Sequence, residues 1–312
     1  MDGFGHVPVL LEQTIEGLRI KKDGIYLDGT AGGAGHSFRI ASELSPKGEL
    51  ICLDKDPEAV EAASERLSSF PNARVIRSDF RDALQTLPQY IGRIDGALLD
   101  LGVSSHQLDT AERGFSYSKE GRLDMRMSDS GQTAADIVNT ASFEELCRIL
   151  RDYGEERYAA QIADKIIAAR EKEWIDSTTR LSEIVISSLP PAVRRKDKNP
   201  SRKTFQALRI AVNDEMNALT EGLEGIFELL APQGRFCVIT FHSLEDRIVK
   251  KRFADWADPC TCPPDFPVCV CGKKPLGVVV TKKPVTAAET ELEENLRSRS
   301  AKLRIFERRV DP

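Results

Sequence analysis

Between Gly24 and Gly102 the chain alternates short apolar runs with amphipathic segments, and few folds accept that alternation. GIYLDG, ELICLDKD, ARVIRSDF and IDGALLDLG have the character of buried strands, and PEAVEAASERLSSF, opened by Pro57 at a first-turn position, is the clearest intervening helix. Parallel strands need long crossover connections, usually helical, so the pattern predicts a parallel sheet flanked by helices. Three of the runs end in an acid where the strand should reach its carboxyl edge: Asp28, Asp54 and Asp100. Ligands of open α/β sheets sit at that edge. Any one such aspartate is explained as a cap for the next helix; the three together point to a site.

The first run opens into YLDGTAGGAGHS at residues 26 to 37, with glycine at 29, 32, 33 and 35. Glycine admits positive φ and close backbone approach, so the stretch reads as a tight strand-to-helix turn. Phosphate readings fail on spacing. A phosphate loop follows its last glycine with Lys and then Ser or Thr, whereas this loop ends GHS. A dinucleotide fingerprint needs glycine at its first, third and sixth positions; counted from Gly33 the sixth is Phe38, and the other starts fail sooner. Asp54 lies about a strand-helix-strand step further on, where an acid accepts hydrogen bonds from both ribose hydroxyls of an adenosine. A ligand with a ribose but no phosphate fits this pair, and S-adenosylmethionine is such a molecule.

Past residue 105 the pattern changes. From Thr133 to Asn217 it is helical, as in ADIVNTASFEELCRILRDYG, ERYAAQIADKIIAAREKEW and TTRLSEIVISSLP, with a basic, proline-marked break at PPAVRRKDKNPSRK. Then the sheet pattern returns. MNALTEGLEGIFELLAPQG reads as an amphipathic helix stopped by Pro232 and Gly234, GRFCVITFHS as a buried strand, and LEDRIVKKRFADW as a helix; GVVVTKK and AKLRIFERR suit a closing antiparallel pair. The expected architecture is α/β, a mostly parallel Rossmann-like sheet built from 1-105 and 213-312 and interrupted by an all-helical domain at 106-212. With 312 residues, 41% hydrophobic and 30% charged, the chain has an ordinary globular composition. A formal charge of -5 argues against indiscriminate nucleic-acid binding, which neutralises many phosphates, and leaves room for local basic patches. VPVLL, followed at once by Glu12, is too short for a membrane span or signal core, so a cytoplasmic protein is expected.

The glycine loop, Asp54 in CLDKDP, SDF ending at Phe80 and LLDLG at 98 to 102 stand in the order in which a class I methyltransferase uses them. With HVPVLLEQ, DLGVSSHQLD, GFSY and LDMRM, TFQALRIAVNDE, TFHSLEDR and RSRSAKLRIFER, they resemble the bacterial 16S ribosomal RNA cytosine-N4 methyltransferase family (RsmH/MraW), from His6 to about Arg308. The resemblance implies a class I S-adenosylmethionine-dependent methyltransferase domain interrupted by a helical insertion for RNA recognition. It implies S-adenosyl-L-methionine as donor and a decoding-centre cytidine of 16S rRNA in the small ribosomal subunit as acceptor. Carried over by motif, the donor-binding positions are Ala34, Gly35, His36, Asp54, Phe80, Asp100 and Gln107. Loop backbone would meet the methionine tail, Asp54 the ribose and Phe80 the adenine, with Asp100 facing the sulfonium or the tail amine. Two rivals remain: a methyltransferase with another substrate, and a ribosome-binding assembly factor that keeps the donor fold without catalysis.

Methyl transfer to a cytosine amine asks a protein mainly to position the partners. The amine lone pair is delocalised into the ring, and acceptors aimed at its N–H groups favour the reactive pyramidal form. Asp100 is the candidate catalytic residue on that ground, together with carbonyls of the turn DLGVSS. Many amino-methyltransferases carry two prolines and an aromatic at this point, whereas this chain reads DLGV, which leaves the base-stacking ring open among Phe115, Tyr117 and Phe241. His242 either overhangs the same edge or is a satisfied structural histidine, and His6 and His106 share that ambiguity. Arg194, Arg195, Lys196, Lys198, Arg202 and Lys203 are candidate phosphate contacts. Cys52, Cys147 and Cys237 read as inert core residues. Cys260, Cys262, Cys269 and Cys271 form two C-x-C pairs whose ligand types suit zinc, although C-x-C is tighter than the usual knuckle; reduced thiols and a reversible disulfide are the alternatives, and no metal is placed among the site residues.

Overall fold

A computed structural model of the chain describes residues 8–196, 198–263, 268 and 270–309; His6 and Cys269 lie outside the described residues. The chain divides into two compact units, Met1–Gly102 with Met216–Pro312, and Val103–Glu215.

The first unit is built on a seven-stranded sheet in the order β3-β2-β1-β4-β5-β7-β6. Its strands are β1 (Ile25–Asp28), β2 (Glu49–Asp54), β3 (Ala73–Arg77), β4 (Ile94–Asp100), β5 (Leu230–Thr240), β6 (Gly277–Val279) and β7 (Lys302–Arg308). β1 to β5 run parallel, while β7 pairs antiparallel with both β5 and β6. This is the mostly parallel, Rossmann-like α/β sheet that the runs predicted. Side chains alternate between two apolar layers, as a strand period of two requires. Leu27, Ile51, Leu53, Leu99 and Val238 pack on one face with Phe227, Phe253 and Trp256. Tyr26, Leu50, Cys52, Leu98 and Cys237 pack on the other with Leu18 and Ile40. Burial on both faces explains why these strands read as nearly continuous apolar runs.

β1 lies between β2 and β4, so strand order reverses there. A crevice opens outside the carboxyl ends of the strands at such a reversal. Asp28, Asp54 and Asp100 are the last residues of β1, β2 and β4, as the runs predicted. One boundary differs from expectation. The helix Glu215–Leu229 passes directly into β5, so Pro232 and Gly234 lie inside the strand and do not stop the helix. Pairing with β4 is irregular there, jumping from Ile94↔Leu230 to Gly96↔Arg235. An irregular stretch of ladder is where a strand tolerates proline, which has no N–H to donate.

The second unit holds its own core under the helices Ala134–Thr140, Phe143–Gly154, Ala159–Arg170, Thr178–Ser188 and Arg202–Asn213. Leu146, Leu150, Ile162, Ile166, Val185 and Leu208 are fully buried in it. Gly154 lets two of these helices touch: a Cβ there would sit 2.8 Å from the Lys203 carbonyl oxygen. Among the described residues, no helix is long and apolar enough to cross a membrane.

Candidate functional site

At the end of β1 the buried Asp28 braces the loop. Its Oδ1 accepts from the Thr30 N–H at 3.1 Å and its Oδ2 from the Ser37 hydroxyl at 2.5 Å. Burial pushes its pKa up, and the Ser37 and Thr30 hydrogen bonds and the nearby His36 pull against that. Within the loop, Gly32 takes a φ of +48° with little around it, and Ala34 follows at +55° as the cap of the helix Gly35–Glu43. Gly35 has a packing reason of its own: a Cβ there would lie 2.3 Å from Pro8 Cγ.

Asp54 faces this loop. Its Oδ2 accepts the Gly32 N–H at 2.8 Å and its Oδ1 the Asp56 N–H at 2.9 Å. A carboxylate offers about four lone-pair positions, so each oxygen keeps one for a further donor. Burial raises Asp54 to about 6, against the pull of these two N–H groups.

Asp100 ends β4. Its backbone N–H donates to Thr30 Oγ1 at 2.6 Å, tying strand to loop. Its Oδ2 lies 3.6 Å from His36 Nδ1, whereas Oδ1 is buried with no hydrogen-bond partner among the described residues. Burial, and then the charges of Asp28 and Glu245, raise Asp100 to about 8. His36 is itself buried and held below its ordinary value by desolvation, with Nε2 3.0 Å from the Val9 carbonyl oxygen. Phe80 opens a short turn after β3, and its ring sits against Gly222, where a Cβ would meet Cδ2 at 2.4 Å.

Six of the seven positions drawn from the sequence thus join one sheet edge: Ala34, Gly35, His36, Asp54, Phe80 and Asp100. Gln107 belongs to the second unit. There its Oε1 accepts from the Ser104 N–H at 2.9 Å and its N–H donates to Ser104 Oγ, a capping box on the helix Ser105–Asp109. The pattern S-x-x-Q carries that signal in the sequence.

Glu245 escaped sequence reasoning. It is only 2% exposed, and its Oε2 accepts the Phe241 N–H at 2.8 Å. His242 caps the helix Ser243–Ala257 in a reciprocal box with Glu245, which gives that histidine a structural task. The box was visible as H-S-L-E; its electrostatic effect on Asp100 was not.

The donor set discriminates among ligands. Loop N–H groups alone would accept a phosphate, but Asp28, Asp54, Asp100 and Glu245 make the surroundings acidic. A cationic nucleoside meets there the orphaned oxygen of Asp100, whose proton it would displace, and a second carboxyl group, Asp54, with lone pairs to spare. These residues fit S-adenosyl-L-methionine, which carries a ribose, an ammonium and a sulfonium.

The chain is similar to known proteins over nearly its whole length. A family model described as the MraW methylase family matches residues 3–309. The chain is 53% identical over 309 residues to ribosomal RNA small subunit methyltransferase H 2 of Agathobacter rectalis, covering 98% of each chain. It is 53% identical over 308 residues to ribosomal RNA small subunit methyltransferase H of Lachnospira eligens, again covering 98% of each. Against the protein of the same name from Symbiobacterium thermophilum it is 51% identical over 304 residues and 96% of each.

Proposed function

We propose, from the premise that this chain belongs to the MraW methylase family, that it methylates the exocyclic N4 amine of a decoding-centre cytidine in 16S rRNA. The coarser activity, methylation of small-subunit ribosomal RNA, is what the names of its full-length relatives carry. The cofactor is S-adenosyl-L-methionine, which when bound supplies an electrophilic methyl on a positively charged sulfur.

The observation that carries the proposal is the orphaned Oδ1 of Asp100. A buried acceptor without a partner costs roughly 1–3 kcal/mol, and a ligand donor at that atom recovers it. Asp100 holds the cationic end of the donor and accepts from the cytosine amine, drawing the nitrogen toward its nucleophilic form. Asp54 accepts from the ribose hydroxyls, Phe80 lines the adenine, and Ala34, Gly35 and His36 lie along the methionine tail. Gln107 is the seventh donor-binding position, assigned by its motif. The helical unit recognises RNA, its exposed Arg194, Arg195 and Lys198 meeting phosphates.

Methylation of the ring carbon would require a thiolate to add to the base, and the two cysteines of the sheet are poorly suited to that. Cys52 and Cys237 are fully buried in the sheet, and burial pushes the Cys237 thiol up to about 12. The test is to incubate the protein and labelled donor with small subunits from cells lacking this enzyme, digest the RNA, and identify the product nucleoside by mass spectrometry. N4-methylcytidine is expected. A label on cytosine C5 alone, or on ribose alone, would overturn the proposal.

A further inference from the structure

Between the helix Ser243–Ala257 and β6 runs a segment that the donor site does not use. Its far end is pinned where the Leu276 N–H donates to the Trp256 carbonyl at 2.8 Å. Among its described residues, Val268 and Val270 are 70% and 72% exposed and so add little apolar packing. A segment of this length needs some source of order.

Three thiols converge there. The Sγ atoms of Cys260, Cys262 and Cys271 all lie within 4.8 Å of one another. The Cys260–Cys271 separation is 3.8 Å. Zinc bound at about 2.3 Å to tetrahedral sulfurs sets them about 3.8 Å apart, which matches the Cys260–Cys271 pair.

The backbone is arranged around sulfur as well. The Val270 N–H points at Cys262 Sγ from 3.3 Å. Gly272 directly after Cys271 turns the chain at φ +66°, with no atom within 4 Å of where a Cβ would stand. Amide donors to sulfur stabilise thiolate over thiol, and a left-handed glycine after the last cysteine lets the chain fold back round a metal. Three thiolates on a divalent ion leave a net negative charge, and the exposed Lys273 and Lys274 follow at once in the chain.

We propose that Cys260, Cys262 and Cys271 form a structural zinc site that orders this segment. The thiols release their protons to solvent on binding, nothing is oxidised or reduced, and water or a further donor completes the tetrahedron. The site is independent of the methyl-transfer chemistry.

Full-length protein purified without chelator should contain about one zinc per chain by elemental mass spectrometry. Co2+ added to the stripped protein should produce a thiolate-to-metal charge-transfer band in the near ultraviolet, which Zn2+ then bleaches. The variant C260S/C262S/C271S should lose both signals and still bind S-adenosylmethionine, which shows that it folds. Wild-type protein whose thiols alkylate equally fast with and without Zn2+ would overturn the proposal. So would an intact mass showing a disulfide in freshly purified protein, or a variant that keeps its metal.

Discussion

His36 holds its Nδ1 3.6 Å from Asp100 Oδ2 while its Nε2 lies 3.0 Å from the Val9 carbonyl oxygen. Toward a carbonyl a ring nitrogen can only donate, so the neutral imidazole carries its proton on Nε2 and turns a lone pair toward Asp100. Burial keeps His36 below its ordinary value and raises Asp100 to about 8. Near neutral pH the proton of this pair therefore sits on the carboxyl.

Donor binding should displace that proton. A cation favours the carboxylate over the acid, so affinity should climb as pH rises toward about 8 and level off above it. The other groups facing Asp100 are the carboxylates Asp28 and Glu245, which raise it, and the Thr30 hydroxyl, which is engaged with its backbone. Calorimetry at neutral pH in two buffers of different ionisation heat should register proton release on titration with S-adenosylmethionine. An affinity independent of pH across this range would separate Asp100 from the cationic end of the donor.

Asp100→Asn should stabilise the protein as it disables it. An acid whose folded value lies above its unfolded value contributes stability that is present below the unfolded value and lost as pH rises through the folded one. For Asp100 that window runs from the ordinary carboxylate range up to about 8. The amide escapes the loss, so the variant's melting temperature should exceed wild type by several degrees at pH 8.5 and by less at pH 5, with roughly 2–4 °C for each kcal/mol. Methylation should fall on the order of 100-fold. Equal melting curves at both pH values would show that the carboxylate is not penalised by burial.

Asp54→Ala removes the acceptor assigned to the ribose. Losing hydrogen bonds to a charged group costs about 1.5–3 kcal/mol, hence a donor dissociation constant roughly 10- to 100-fold weaker. The same change orphans the N–H groups of Gly32 and Asp56, so thermal unfolding must be recorded beside the titration. An unchanged dissociation constant in a folded variant would reject the assignment.

Gly222→Ala tests the seat of Phe80 without touching the loop. The new methyl would come within 2.4 Å of the ring and 3.3 Å of the Phe80 carbonyl oxygen, so the aromatic must shift. Overpacking of this kind costs about 1–3 kcal/mol. KM for the donor should rise more than kcat falls, because the ring is assigned to adenine and not to the reacting methyl. A fall in kcat alone would place Phe80 nearer the chemistry.

Replacing Arg194 and Arg195 by glutamate should weaken binding to small subunits while leaving donor affinity as it was. For every phosphate no longer neutralised, the dependence of log affinity on log salt should flatten by about 0.7–0.9. A salt slope equal to that of wild type would assign phosphate binding to other residues.

Much of the fold was legible because its signals are local. Period-two burial, glycine after a strand and an acid at each strand end need only neighbouring residues, and they located Asp28, Asp54 and Asp100 at the carboxyl edge. The amphipathic runs past Thr133 announced helices for the same reason. Pro232 misled because a proline ordinarily ends a helix, while here an irregular ladder against β4 takes it into a strand.

What no local pattern could supply is distance and desolvation. Pro8 demands the glycine at 35, Gly222 seats Phe80, and Glu245 acts on Asp100 from far along the chain. A motif identifies an aspartate; only the packed interior, by removing water and setting other carboxylates beside it, pushes Asp100 toward its protonated form and leaves its Oδ1 without a partner among the described residues. The sequence by itself thus determined which groups stand at the edge. Tertiary structure decided their charge, since that is a property of everything brought around them.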